Sequence, residues 1–172
     1  MTKSELEKVH TTEQTCCRYL MLQDIIDGEI SKDLPFITGI EKKQLKYCVE
    51  DGDIVMSKIG PSFKVAVAEV PEGESILATG NLYIIRPDRD KINPYYLKLC
   101  LTSEVGMTQI QRGCTGTTMP SIPVKALGEV KVPLIPLDEQ SRIVGDYKRL
   151  RDKIALHRAE IRKLEQEVAD LL

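Results

Sequence analysis

Little in this chain looks like catalytic equipment. It has no tryptophan, and its two histidines are His10 and His157, so a Ser-His-Asp or Cys-His arrangement has almost no material. The five cysteines, Cys16, Cys17, Cys48, Cys100 and Cys114, are odd in number and form no CxxC pair. That excludes a simple disulfide framework and gives a zinc site little support, so core thiols in a reducing compartment are expected. No apolar run approaches the roughly eighteen residues a membrane span requires. The start, MTKSELEKVHTTEQT, is too polar for a signal peptide, which points to the cytoplasm. A formal net charge of −2 supplies no global field to attract nucleic acid; such binding would need a local basic patch.

What is present in quantity is a heptad seam. Ile143, Tyr147, Leu150, Ile154, His157, Ile161, Leu164, Val168 and Leu171 recur at alternating spacings of four and three. Such a seam supercoils two helices left-handedly and calls for a partner helix. The approach, VPLIPLDEQ, holds Pro133 and Pro136 ahead of Asp138, which is placed to cap the helix. From Asp138 onward eight Lys or Arg balance eight Asp or Glu, as on a solvated coiled-coil flank. A helix packed on its own domain is the plainer alternative. His157 reads as a polar break that fixes register.

Ahead of the helix, 172 residues leave room for one ordinary domain. Residues 1–15 read as a leader. Asp27-Gly28 marks a turn, and the mixed stretch from Leu34 to Tyr47, with Lys42, Lys43 and Lys46, reads as a solvated loop. DIVMSKIG, FKVAVAEV, SILATG and NLYIIR then read as short strands separated by Asp-Gly, Gly-Pro and Pro-Glu-Gly turns. Their spacing predicts an antiparallel or mixed sheet rather than βαβ units. The tip SKIGPSFK gathers Lys58, Ser62 and Lys64 in a form that suits phosphate, although basic tips often serve only solubility.

The period changes after Arg86-Pro87. Asn93 can cap a helix that has Pro94 at its first position and Tyr96, Leu97, Cys100 and Leu101 on its buried stripe. Ser103 can start a second helix ending near Gly113. RGCTGTTMPSIP follows as a Gly- and Thr-rich loop whose hydroxyls and bare N–H groups suit phosphate or base edges. Pro123 to Leu127 reads as one helical turn, and GEVKVPLIP as a final strand.

Catalytic motifs are weak by comparison. Asn93-Pro94-Tyr95-Tyr96 resembles the Asn-Pro-Pro-aromatic motif of amino-methyltransferases, but no strand with a Gly-rich turn offers a site for S-adenosylmethionine. Gly113 to Gly116 lacks the Gly-Lys-Ser/Thr ending of a P-loop. Asp88, Asp90 and Lys91 read as a solvated turn. No catalysis, cofactor or metal is expected of this chain.

In order, DGDIVMSKIG, NLYIIRPDRDKINPYYLKLCLTSEVG, a Gly-Thr loop, and IPVKALGEVKVPLIPLDEQSRIV with its heptad helix resemble the DNA specificity subunit of Type I restriction-modification systems. The likeness covers roughly residues 17–172, with VPLIPLDEQSRIV its most specific part. The resemblance implies an α+β target-recognition domain, residues 16–137, with a small mixed or antiparallel sheet. A long C-terminal coiled-coil helix, residues 138–172, would follow. It implies a non-catalytic reader of double-stranded DNA that directs an adenine-N6 methyltransferase subunit and a restriction subunit to a target. Subunits of that family carry two such domains and two helices, whereas one of each is present here. The expectation is therefore a half-size subunit pairing with itself through the seam, or a piece of a longer polypeptide such as a fused methyltransferase. A coiled-coil scaffold that binds protein is the remaining alternative. The expected DNA contacts are Lys42, Lys43, Lys58, Ser62, Lys64, Arg112, Thr115, Thr117 and Thr118.

Overall fold

The computed structural model describes residues 8–171 and divides them into two compact units that meet between Leu134 and Ile135. In the first unit, β1 (His10–Thr11), β2 (Cys17–Leu20), β5 (Phe36–Ile37), β6 (Cys48–Val49) and β9 (Ser75–Ala78) form a sheet in the order β1-β5-β2-β9-β6. A second sheet has the order β10-β7-β8, from β7 (Ile54–Ser57), β8 (Val65–Val67) and β10 (Leu82–Ile85). A two-residue hairpin joins β3 (Ile25–Ile26) to β4 (Glu29–Ile30). At its turn Asp27 and Gly28 take φ values of 51° and 77°, the left-handed pair that a tight hairpin of this twist requires.

The sheets stack with helices outside. On β7 and β8, Val55 and Ala66 face one core with Leu20, Ile76 and Ala78 of the five-stranded sheet. Their neighbours Ile54, Met56, Val65 and Val67 face the opposite way, toward Leu101 and Ile110. Period-two alternation thus buries both faces, which is why DIVMS reads as a nearly continuous apolar run. The outer face of the larger sheet carries a third cluster of Tyr19, Ile37 and Leu77.

α1 (Pro94–Thr102) starts as expected, with the Asn93 side chain accepting from the N–H of Tyr95 and of Tyr96. Ser103 caps α2 (Glu104–Arg112), and its hydroxyl accepts from the N–H of Gly106. The two helices meet tightly there: a Cβ on Gly106 would lie 2.0 Å from the Cys100 carbonyl oxygen. α1 also buries Lys98, whose Nζ lies 2.9 Å from Glu29 Oε1. α3 (Val124–Gly128) is the short turn foreseen before Gly128.

Several expectations are corrected. Of the expected leader, residues 1–15, His10 and Thr11 join the sheet as β1 by pairing with Ile37 and Phe36, and residues 1–7 lie outside the described residues. Residues 129–136 form no strand. Instead the Gln109 side chain plays the neighbouring strand's part, accepting from the Lys131 N–H at 2.8 Å and donating to its carbonyl at 3.0 Å. Val130 and Val132 still pack on the helical core, which accounts for the alternation. The stretch Leu34–Tyr47 is more than loop: it holds β5 and a 3-10 helix, Lys42–Tyr47. Cys16 is exposed rather than buried, while burial pushes the thiols of Cys17, Cys48, Cys100 and Cys114 above their ordinary value. All five cysteines are free.

The second unit is α4 (Leu137–Ala169). Pro136, not Asp138, is its N-cap residue; Asp138 and Glu139 lie in the first turn, where their charge favours the positive end of the helix dipole. Thirty-three residues make α4 roughly 50 Å long at about 1.5 Å per residue. No helix among the described residues is long and apolar enough to cross a membrane.

Candidate nucleic-acid interface

Strand register sends several connections to one end of the first unit. β2 and β9 run parallel with Leu20 opposite Ala78, and the Thr79 N–H donates to the Leu20 carbonyl at 2.9 Å. The turns that leave those strands, Leu22–Asp24 and residues 79–81, therefore share an end. β6 pairs antiparallel with β9, Cys48 opposite Leu77, so the 3-10 helix Lys42–Tyr47 enters from the same end. In the other sheet Ser57 stands opposite Leu82, which brings the tip after β7 there as well.

That tip is stitched to the Gly-Thr loop. Gly60 N–H donates to the Pro120 carbonyl at 3.0 Å, Ile122 N–H donates to the Lys58 carbonyl at 3.1 Å, and Ile59 bridges Ser121. Thr115 and Ser121 exchange backbone hydrogen bonds at 2.9 Å, closing the loop on itself. Gly116 at its head has φ 89°, a conformation that side chains rarely adopt. SKIGPSFK and RGCTGTTMPSIP, far apart in sequence, are thus one backbone-bonded platform.

The expected contact residues divide by what they already hold. Lys58 Nζ donates to the Gly80 carbonyl at 2.7 Å and lies 4.8 Å from the Tyr83 ring centroid. Lys64 Nζ donates to the Ile25 carbonyl at 2.7 Å and to the Leu22 carbonyl at 3.3 Å. Both ammonium groups brace the tip against neighbouring turns while keeping their charge at this end. Lys43 pairs with Glu41 at 2.9 Å. Lys42, Ser62, Arg112, Thr115, Thr117 and Thr118 are exposed. Lys42 and Lys43 stand on the 3-10 helix, and the other expected residues stand on the tip, the loop or the end of α2.

Tyr83 was not foreseen at this end, and Lys46 was noted only as part of a solvated stretch. Tyr83 supports Lys58 from below and donates its hydroxyl to the Ile122 carbonyl at 2.8 Å, tying strand to loop. Its place as the third residue of NLYIIR was the available signal. Lys46, in the same helix as Lys42 and Lys43, adds a further cation.

Charge is sorted between the two ends. Within residues 22–25, 41–47, 58–64, 79–81 and 112–122 the acids are Asp24, which accepts from the Met21 N–H, and Glu41, which faces Lys43. Against them stand Lys42, Lys43, Lys46, Lys58, Lys64 and Arg112. The opposite end, residues 50–53, 69–74 and 86–91, is richer in carboxylates, and Asp27 and Glu29 lie on the hairpin beside α1. Buried Asp53 takes Arg86 at 3.0 and 2.8 Å, Glu50 pairs with Arg86, Asp51 with Arg89, and Asp88 with Lys91. Burial, together with the hydrogen bond to Glu69, pushes the Tyr95 hydroxyl far above its usual range, so it remains a donor. A chain of net charge −2 thereby presents a local basic face, which can take phosphate oxygens. Among the described residues no group of three His, Cys, Asp or Glu side chains could hold a metal.

In the second unit, Ile143 and Tyr147 of the seam are half-buried, and Leu150, Ile154, His157, Ile161, Leu164, Val168 and Leu171 are exposed. Ile154 and Ile161, for example, are 51% and 53% accessible. His157 Nδ1 lies 3.8 Å from a Glu160 oxygen. The stripe thus stays open to water on a helix otherwise laced with ion pairs.

Known proteins resemble this chain. Residues 25–166 match the family described as the Type I restriction modification DNA specificity domain. The chain is 30% identical over 138 residues to MjaX of Methanocaldococcus jannaschii, a candidate type I restriction enzyme specificity subunit, covering 75% of this chain and 32% of that one. It is 29% identical over 104 residues to the EcoEI specificity subunit of Escherichia coli, covering 58% of this chain and 18% of the relative. It thus spans a third or less of the length of these curated relatives. Its fold is that of the HsdS subunit from Thermoanaerobacter tengcongensis, with a TM-score of 0.65 at 22% identity over 87% of this chain and 38% of that one. A chain from a type I restriction-modification system, solved in a study of complex assembly and conformational transition, gives a TM-score of 0.69 at 21% identity, covering 95% and 38%. With most of its length matched by the family and its sheets and long helix repeated in these structures, the chain belongs to the Type I restriction-modification DNA specificity family.

Proposed function

We propose that this chain reads double-stranded DNA sequence as the specificity subunit, or half-subunit, of a Type I restriction-modification complex. It would direct an adenine-N6 methyltransferase subunit and a restriction subunit to one target without chemistry of its own. The observation that carries the reading is the convergence of the tip and the Gly-Thr loop on a single basic end, in a chain of this family. Lys42, Lys43, Arg112 and the braced Lys58 and Lys64 would hold phosphates and set register. Ser62, Thr115, Thr117 and Thr118 sit on rigid backbone from which hydroxyls reach base edges.

The recognition domain of residues 16–137 would be joined to its partner by the helix. The seam from Ile143 to Leu171 would pair with the same seam of a second copy in the cytoplasm, supplying a second helix and a second reader. Two-fold antiparallel pairing would set two identical readers on inverted half-sites and give a palindromic, interrupted target.

The test is selection from a pool of random duplexes by the chain assembled with its methyltransferase subunit. One enriched motif, absent when the methyltransferase subunit is used alone, is the expected result. An unenriched pool would remove the assignment as reader.

A further inference from the structure

The 3-10 helix Lys42–Tyr47 projects apolar side chains that folding does not use. It has no buried residue, Leu45 is 57% exposed and Tyr47 44% exposed. Neither belongs to a core cluster of the first unit. Yet the element is firmly built. Glu41 and Gln44 close a capping box at its start, with the Glu41 N–H donating to Gln44 Oε1 at 2.8 Å. The Cys48 N–H donates back to the Leu45 carbonyl at its end, where β6 joins the sheet.

Single exposed apolar residues are ordinary, but these two stand among Lys42, Lys43 and Lys46. Lys46 Nζ lies 5.0 Å from the Tyr47 ring centroid. The register that puts Cys48 opposite Leu77 also sets this helix at the end where residues 79–81 and the braced tip emerge. A rigid apolar pair flanked by three lysines, at the end that also holds Lys58, Lys64 and Arg112, matches the chemistry of a polyanion with apolar faces between its charges.

We infer that Leu45 and Tyr47 form an apolar contact with the sugar and base surface of bound duplex DNA, flanked by phosphate contacts from Lys42, Lys43 and Lys46. This deepens the reading of the chain as a DNA reader and rests on it. Apolar side chains inserted at a groove unstack or brace a base step, and an aromatic ring supplies a face on which a base or sugar can lie. The contribution is independent of salt, unlike that of the lysines beside it.

The assembled complex with its methyltransferase subunit tests this through the affinity for its own motif, measured at several salt concentrations. Leu45→Ser with Tyr47→Ser should weaken binding about tenfold or more with the salt slope unchanged, while Tyr47→Phe should retain most of the affinity. Thermal unfolding of the free chain should be unaltered, because both side chains face solvent. Unchanged affinity in a complex that still reads its motif would overturn the inference alone. Weakened assembly with the methyltransferase subunit, at intact DNA affinity of whatever complex forms, would show the pair to be a protein contact and overturn it too. A wild-type complex that selects no motif would overturn the parent reading, and this contact with it.

Discussion

The strongest electrostatic prediction concerns Lys42, Lys43 and Arg112 at the basic end. Lys42 and Arg112 are exposed, and Lys43 shares its charge with Glu41 at 2.9 Å. Neutralising all three as Lys42→Gln, Lys43→Gln and Arg112→Gln should remove the proposed phosphate contacts while sparing the supports that Lys58 and Lys64 give the tip. Each phosphate contact contributes a slope of about −0.9 to log affinity against log salt, or about a 3.5-fold loss of affinity between 50 and 200 mM salt. Because Lys43 is partly engaged, the triple variant should lose between about two and three such contacts. The wild-type complex should therefore weaken roughly 12- to 40-fold more than the variant over that interval. Fluorescence anisotropy of the assembled complex on its motif duplex, across a salt series, reads this directly. Identical slopes for the two proteins would refute the placement of phosphate at this end of the sheet.

Other expectations follow from packing. Asp53→Ala strips the Arg86 guanidinium and the Glu50 N–H of a buried acceptor. With Arg86 half exposed, the loss should be about 2 kcal/mol, seen as a fall of about 4–8 °C in the unfolding midpoint. Gly106→Ala, whose Cβ would meet the Cys100 carbonyl oxygen at 2.0 Å, should destabilise by about 2–3 kcal/mol in denaturant unfolding. Gly145→Ala, in α4 with nothing within 4 Å, should instead stabilise by about 1 kcal/mol. Ile154→Asp with Ile161→Asp should convert a dimer to monomer by light scattering; a persistent dimer would place the interface elsewhere.

Much of this architecture could be read from local chemistry. Asp27-Gly28, Asn93-Pro94 and Ser103 each marked an element boundary because one residue type satisfies the backbone there at low cost. The apolar run of DIVMS marked a strand because both its faces are covered. What escaped depended on distant partners. GEVKVPLIP has a strand's alternation, yet its ladder partner is the side chain of Gln109, twenty-two residues away from Lys131. The helix start at Leu137 rather than Asp138 turns on Pro136, whose fixed φ lets it stand as the cap without a side-chain bond. Lys98 reads as a surface lysine until Glu29 is brought to it from the hairpin. In the candidate interface, residue types were legible and assembly was not. Nothing local ties the tip at Gly60 to Pro120, or tells Lys58 and Lys64, already holding carbonyls, from Lys42 and Arg112, which are exposed.

The function proposed for this chain is to supply sequence recognition to an adenine methyltransferase. Its most direct test is co-expression with the cognate methyltransferase subunit, followed by mapping of methylated adenines across genomic DNA. One discrete motif that vanishes when this chain is omitted is the expected result, interrupted and palindromic if two copies pair antiparallel through α4. Methylation at the same motif without the chain, or a stable complex that marks no motif, would contradict it.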